Sequence, residues 1–375
     1  MDFSFTEEQQ DVADLTRQIL TDKVTHESLT ALEATGEPRF DPDLYKELAK
    51  ANLLGIGVAE DAGGSGLGLL GQSLVLREVG RTLAPVPVAF SIAMAAEPIA
   101  LLGTAEQKAA WAVPAVEGSK ILTAALAEPH NREPMRPTTT ATREGDGWRL
   151  DGVKTGVPAA TIADLLLVPA WVDGAPAVFL VETGAEGLTI SPQHTTNFDT
   201  YGYVELNGVV VGPEAVLGGD VANGAEVLTA VLERATLALC AVQLGVTERA
   251  LEATAQYTKE RVQFERPIAT FQAVGHRCAD CYIDVEAIRL TLWQAIYSVE
   301  NQAETHQLDV ETAKFWAAEG GHRVAHAVVH LHGGMGIATE YFIHRYFAHA
   351  KQIEFMLGSA TEQAVRIGSQ LAVQG

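Results

Sequence analysis

The chain has 375 residues, 47% hydrophobic and 20% charged, the composition of an ordinary globular protein with volume for more than one buried core. Its 48 acidic residues against 26 basic ones leave a net charge of −22. No lysine- or arginine-rich run offers the basic face that displaces counterions from nucleic acid, so that partner is excluded. The apolar windows are broken by charge, glycine or proline before the roughly 18 residues of a membrane span, and no membrane association is expected.

The opening, Met1-Asp2-Phe3-Ser4-Phe5, has neither a basic region nor an apolar core, so no secretory signal is expected. Residues 1 to about 120 read as a helical domain. Thr6 and Gln9 have capping-box spacing, and Val12, Leu15, Ile19 and Leu20 follow at helical intervals. Asp41 precedes a second segment carrying Leu44, Leu48, Leu53 and Leu54; Gly63-Gly64-Ser65-Gly66 is a break, and Pro85 and Pro87 punctuate further helices.

From about 121 to 215 the texture changes. Trp148–Gly152, Leu165–Val168, Val178–Val181 and Tyr203–Leu206 read as strands without intervening helices, the pattern of an antiparallel β domain. From about 223 to 375 the helical period returns, in segments of about 223–263, 268–303, 308–331 and 338–371. Pro267 and Gly333-Gly334 separate three of them, and short connectors predict an antiparallel four-helix bundle. The whole is an α+β chain.

Three motifs lie in the last block: Arg261-Val262-Gln263-Phe264 closing one helix, Gln272 opening the next, and His330 followed by Gly333-Gly334-Met335-Gly336 before the last. In this order, and with the Phe5–Gln9 opening and the Gly55–Gly64 passage, the chain resembles the acyl-CoA dehydrogenase family over essentially its whole length. The resemblance implies an N-terminal helical domain, a middle β domain and a C-terminal four-helix bundle, with FAD lying across a subunit interface. It gives Arg261, Phe264, Gln272, His330, Gly333 and Gly334 to the pyrophosphate and adenosine end of a neighbour's FAD. Arginine offers a fork of donors to pyrophosphate, and paired glycines let backbone approach a cofactor closely.

The half of the site that a member uses for its own flavin ring is altered. Where the family has a T-E-P-x-x-G-S-D-like run, this chain has Ala127-Glu128-Pro129-His130-Asn131-Arg132-Glu133-Pro134. The W-I-[ST] segment that covers the flavin aligns with Gly156-Val157-Pro158, and the proline removes a backbone donor. The slot of the catalytic glutamate holds Leu357, which cannot accept a proton, with Glu354 three residues earlier. A minority of the family carries the base on the first bundle helix. Here Glu233 lies near that slot, but an ungapped count from Arg261 lands on Ala235, and two helical residues turn a side chain by about 200°.

This combination resembles the flavin-poor subunit of heteromeric α2β2 acyl-CoA dehydrogenases, typified by actinobacterial enzymes acting on CoA-thioesterified side chains of cholesterol and related steroids. The resemblance implies a homologous catalytic subunit that supplies the glutamate, an acyl-CoA substrate and an electron-transfer flavoprotein as acceptor. Two alternatives remain: an independently active homo-oligomeric dehydrogenase using Glu233, and a flavin-free structural or regulatory subunit.

Cys240, Cys278 and Cys281 fit reduced thiols in a cytoplasm rather than a disulfide framework. Cys278 and Cys281 have C-x-x-C spacing near His276 but no second ligand pair, so they read as core thiols. His322, His326 and His330 share a helix face, and Glu319 with His322 has the Glu-x-x-His spacing of di-iron bundles. No second copy exists, so no metal is expected, and the face reads as a subunit interface.

Overall fold

The computed structural model describes residues 5–374; Met1–Ser4, on which most of the reading of the opening falls, lie outside the described residues. Helices α1 (Glu7–Lys23), α2 (His26–Glu33), α3 (Pro42–Lys50), α4 (Gly68–Thr82), α5 (Glu97–Leu102), α6 (Ala105–Gln107) and α7 (Val113–Val116) come first, with π-helical stretches at Val88–Ala96 and Lys108–Ala112. The capping box is formed: Thr6 Oγ1 accepts from the Gln9 N–H at 3.2 Å, and Gln9 Oε1 accepts from the Thr6 N–H at 3.0 Å. Asp41 caps α3 through the Asp43 and Leu44 N–H groups. The buried face of α1 is Ala13, Thr16 and Leu20, while Leu15 is 43% exposed. The inward stripe is therefore rotated by about one position from the predicted one, because small Ala13 and Thr16 take the close-packed sites.

Strands β1 (Leu122–Ala124), β2 (Thr140–Glu144), β3 (Gly147–Pro158), β4 (Leu165–Val172), β5 (Ala175–Glu182), β6 (Leu188–Gln193) and β7 (Tyr201–Val211) form one sheet in the order β1-β4-β2-β3-β7-β6, with β5 also paired to β4. Most pairings are antiparallel, as predicted, but β1 lies parallel to β4 and β2 meets β4 in parallel at Thr140 and Trp171. The sheet is thus mixed, and the chain returns to β4 through β2 and β3 rather than through a helix. The core behind it holds Trp148, Leu150, Leu166, Val168, Phe179 and Val204, with Trp148 edge-on to Phe179 at 5.7 Å.

The last block holds α8 (Gly224–Glu260), a hairpin of β8 (Val262–Gln263) and β9 (Arg266–Pro267), then α9 (Gln272–Glu300), α10 (His306–His332), α11 (Ile343–Phe355) and α12 (Ala360–Gln374). Two predicted helices are corrected. The first ends at Glu260 rather than near 263, because Phe264 and Glu265 take positive φ values of 52° and 64° and reverse the chain. The last is two helices, broken at residues 356–359, where Leu357 has φ 56° and Gly358 φ 109°. The expectation that charge interrupts every apolar window does not hold of α8. The segment Val221–Glu260 is long and apolar enough to cross a membrane by composition, and 61% of its apolar window is buried inside the protein, as in a core helix.

By contact, the chain divides into two compact units. One takes α1, α4 and the residues from Thr236 onward; the other takes residues 30–72 and 85–235. The first is knitted by charge. Glu248 is buried and accepts from Arg77 Nε at 2.6 Å, Arg81 at 3.1 Å and Arg289 at 2.6 Å, joining α4, α8 and α9. Burial pushes the Glu248 carboxyl up, but Arg77 and Arg289 outweigh it and hold its pKa below the ordinary value. Glu248→Ala removes the shared acceptor of three guanidinium groups, though Arg81 keeps Glu252 and Arg289 keeps Glu286, and is expected to cost about 1–3 kcal/mol, read as a lower denaturation midpoint. The folded pKa is depressed, so the stabilisation is full above the unfolded carboxyl value of about 4.3 and is lost as pH falls below it. Wild type should therefore lose more stability than Glu248→Ala between about pH 5 and pH 3; equal acid slopes would contradict the assignment.

Candidate functional site

The predicted cofactor-binding residues lie where α8, α9 and α10 end or begin. Arg261 follows α8 directly; its N–H donates to the Tyr257 carbonyl at 2.8 Å, and its own carbonyl accepts from the Ile268 N–H at 2.9 Å. These bonds brace the hairpin in which Val262 pairs with Pro267 and Gln263 with Arg266. At its tip Phe264 is 86% exposed, an uncommon placement for phenylalanine. The hairpin is stapled to the start of α9: Phe264 meets Phe271 edge-on at 6.1 Å, and the Arg266 guanidinium lies 4.1 Å over the same ring. Phe271 precedes Gln272, the first residue of α9, whose N-terminus has no side-chain cap. Arg261, Phe264 and Gln272 are all exposed on this braced hairpin–helix junction.

His330 is exposed in the last turn of α10, and Gly333 and Gly334 follow it. Gly333 has φ 60° and ψ −140°, a conformation open essentially to glycine alone, and a Cβ on either glycine would meet nothing within 4 Å. Both glycines therefore present bare backbone to open space. His332, which carries no assigned role in the sequence reading, anchors them from inside. It is buried, Nδ1 is 2.9 Å from the Val328 carbonyl, and its ring stacks on Tyr257 at 4.3 Å. Tyr257 stands one turn before Arg261, so this stack ties the glycine loop to the helix end that carries the arginine.

The ring-side positions are built differently. Glu128 is buried, and its carboxylate accepts from Asn131 Nδ2, from the N–H and hydroxyl of Thr138, from the N–H and hydroxyl of Thr139, and from Lys154 Nζ at 2.7 Å. Lys154 is fully buried and also donates to the Pro169 carbonyl at 2.7 Å. Burial pushes the Glu128 carboxyl up, but the Lys154 ammonium and these hydrogen bonds outweigh it and hold it well below the usual carboxylate range. Asn131, Thr138 and Thr139 are thereby tied to Glu128, while His130, Arg132 and Glu133 between them stay exposed. After Lys154 the β3–β7 register shifts. The Gly156 N–H, at φ 57°, donates to Gln193 Oε1 at 2.7 Å, and the Pro158 carbonyl accepts from the Thr123 hydroxyl. The Thr155 N–H donates to the Ala127 carbonyl at 3.0 Å, so backbone as well as side chains of the chain itself engage this segment.

The base slot holds Leu357 in a left-handed turn, its carbonyl accepting from Gln363 Nε2 at 2.9 Å. Fully buried Lys314 donates to the carbonyls of Ile353 at 3.0 Å and Gly358 at 2.9 Å, fixing the turn. Glu354 is engaged with His322 Nδ1 at 3.1 Å and Lys351 Nζ. The Glu233 carboxylate lies 3.7 Å from Arg234. Since α8 is uninterrupted α-helix from Gly224 to Glu260, no bulge turns Glu233 into the direction of Ala235.

Neither metal pattern gathers ligands. Cys240 and Cys281 are buried, and burial pushes both thiols up to about 12. Glu319 pairs with Arg323 at 3.0 Å, and His322 and His326 lie ring to ring at 4.3 Å. Among the described residues no group of three or more His, Cys, Asp or Glu side chains is arranged to hold a metal ion.

The Glu128–Lys154 pair is directly testable. Lys154→Met leaves a buried carboxylate without its cation and is expected to cost about 3–5 kcal/mol, while adding Glu128→Gln should return part of that loss. Denaturation midpoints of the two single variants and the double variant check this; strict additivity would contradict the pairing.

The acyl-CoA dehydrogenase N-terminal domain family matches residues 6–119, and the acyl-CoA dehydrogenase C-terminal domain family matches residues 222–372. The chain is 44% identical over 380 residues to acyl-CoA dehydrogenase FadE27 of Mycobacterium tuberculosis, covering 99% of each. Among solved structures it is similar to the ChsE4-ChsE5 complex from Mycobacterium tuberculosis, with TM-score 0.94, 44% identity and 99% of each chain covered. A Tcur3481-Tcur3483 steroid ACAD variant gives TM-score 0.92 at 45% identity over 98% of each. The braced Arg261 hairpin, the bare Gly333-Gly334 backbone and these matches together make the chain a member of the acyl-CoA dehydrogenase family.

Proposed function

We propose that this chain is the flavin-poor subunit of a heteromeric, FAD-dependent acyl-CoA dehydrogenase. It lends Arg261, Phe264, Gln272, His330, Gly333 and Gly334 to the pyrophosphate and adenosine end of a FAD whose isoalloxazine ring is held by a homologous partner. That partner supplies the catalytic glutamate, in an α2β2 assembly. The observation that carries this reading is the contrast within one chain. The lending residues are exposed on a braced scaffold, while the Glu128 carboxylate is fully engaged by groups of its own chain and the base slot is Leu357.

Each residue has a physical task. Arg261 gives forked donors to pyrophosphate oxygens, and Phe264 offers an apolar face that the folded chain leaves in solvent. Gln272 and His330 give hydrogen bonds, and Gly333 and Gly334 allow main-chain approach. Bound FAD would supply the hydride acceptor for α,β-desaturation of a CoA thioester. The Tcur3481-Tcur3483 neighbour is a steroid enzyme, which supports a steroid side-chain thioester as substrate. Electrons then pass to an electron-transfer flavoprotein.

Arg261→Ala, purified with the partner subunit, should lose most of its bound flavin, while its flavin-stripped denaturation midpoint should match that of flavin-stripped wild type, because Arg261 is exposed. Undiminished flavin would favour the flavin-free structural reading. Gly333→Ala should lower flavin content as well and also cost about 1–3 kcal/mol, since alanine is strained at that backbone geometry. A variant as stable and as yellow as wild type would count against the role of the loop.

A further inference from the structure

His332 has no part in the contacts proposed for FAD, yet it touches both structures that make them. It is the last residue of α10 and is buried. Its Nδ1 lies 2.9 Å from the Val328 carbonyl, so Nδ1 carries the proton and Nε2 is a bare acceptor. Among the described residues that buried Nε2 has no hydrogen-bond partner. The ring therefore acts by packing. It stacks on Tyr257 with centroids 4.3 Å apart and planes 24° from parallel, and it lies 5.5 Å from the Tyr341 ring.

The glycine loop folds back over the same side chain. Gly333–Ile337 is a short 3-10 helix, and a Cβ on Gly336 would come within 3.2 Å of the His332 Cβ and 2.7 Å of the Val329 carbonyl oxygen. Only glycine lets the loop lie this close. On the other side of the stack, Tyr257 is half-buried on α8, and its carbonyl accepts the Arg261 N–H. The Arg261 carbonyl in turn accepts from the Ile268 N–H and closes the hairpin. A continuous path thus runs from the glycine loop through the His332 ring, the Tyr257 ring and Arg261 to residues 262–267. All of it lies in the compact unit that takes the residues from Thr236 onward.

We infer that His332 is a positioning residue: its ring, stacked on Tyr257, sets the glycine loop and the Arg261 hairpin in one fixed relation, so that neither half of the cofactor surface holds its place without the other. The effect on flavin rests on the cofactor-lending reading above; the link between loop and hairpin does not. A cofactor that meets both halves at once gains from having their spacing fixed beforehand, since ordering them on binding would cost affinity.

The test uses the complex with the homologous partner, stripped of flavin. Amide hydrogen exchange is followed by mass spectrometry in peptides covering 262–268 and 333–337, and FAD affinity by titration. His332→Leu should speed exchange in the hairpin, and Tyr257→Leu should speed exchange in the glycine loop, each on the far side of the stack from the altered residue. Each should weaken FAD binding about tenfold, the order of a lost ring stack, and the double variant should bind no more weakly than either single one. His332→Phe, which keeps a ring and gives up only the Val328 bond, should restore both readouts. Arg261→Ala should weaken FAD binding and leave exchange in 333–337 unchanged. If His332→Leu does not fold, Tyr257→Leu decides through exchange in the glycine loop. Unchanged exchange across the stack, multiplied losses in the double variant, or His332→Phe behaving as His332→Leu overturns the inference. FAD affinity untouched by Arg261→Ala, with the exchange coupling present, overturns the cofactor-lending reading alone.

Discussion

A buried carboxylate with every bond supplied by its own chain is the constraint on which the rest of the account depends. Glu128 takes a proton donor from each of its neighbours in space, and Lys154 closes the set. Once that pair is formed, residues 128–139 are held to β3, and the bulge after Lys154 sets where Gly156 and Pro158 fall. A carboxylate this well satisfied stays ionised and stays put, and it does no proton chemistry. The Glu-Pro of the family motif thus persists for an architectural reason while the residues after it differ.

At the hairpin and the glycine loop the strained positions are exposed: Phe264 and Glu265 in left-handed turns, and Gly333 in a region closed to other residues. Each is held from behind, by Phe271 and Arg266 in one case and by His332 on Tyr257 in the other. Strained, exposed, braced segments are costly for an isolated chain and make sense where another molecule meets them.

Much of this was legible in the sequence, because it rested on local chemistry. Thr6 and Asp41 announce helix starts, Trp148 to Leu206 alternate as strands, and Arg261, Phe264 and the glycine pair fall into a known order. What was not legible depended on distant contacts. Val262-Gln263 has nothing against helix, so the hairpin is set by its staple to Phe271. The break at Leu357 is fixed by Lys314, more than forty residues earlier. The parallel pairing of β1 with β4 leaves no period-2 signature of its own. His332 and Lys314 brace the glycine loop and the Leu357 turn from buried places that carry no motif of their own. The one signal for His332 was its place beside Gly333.

The central claim is that this chain completes a flavin site without owning one. Flavin per chain tests it most directly, measured by absorbance and native mass on the chain expressed alone and on the chain expressed with its homologous partner. The account predicts a colourless lone protein and a mixed tetramer carrying about one FAD for every two chains. One FAD bound per chain in the lone protein would contradict it.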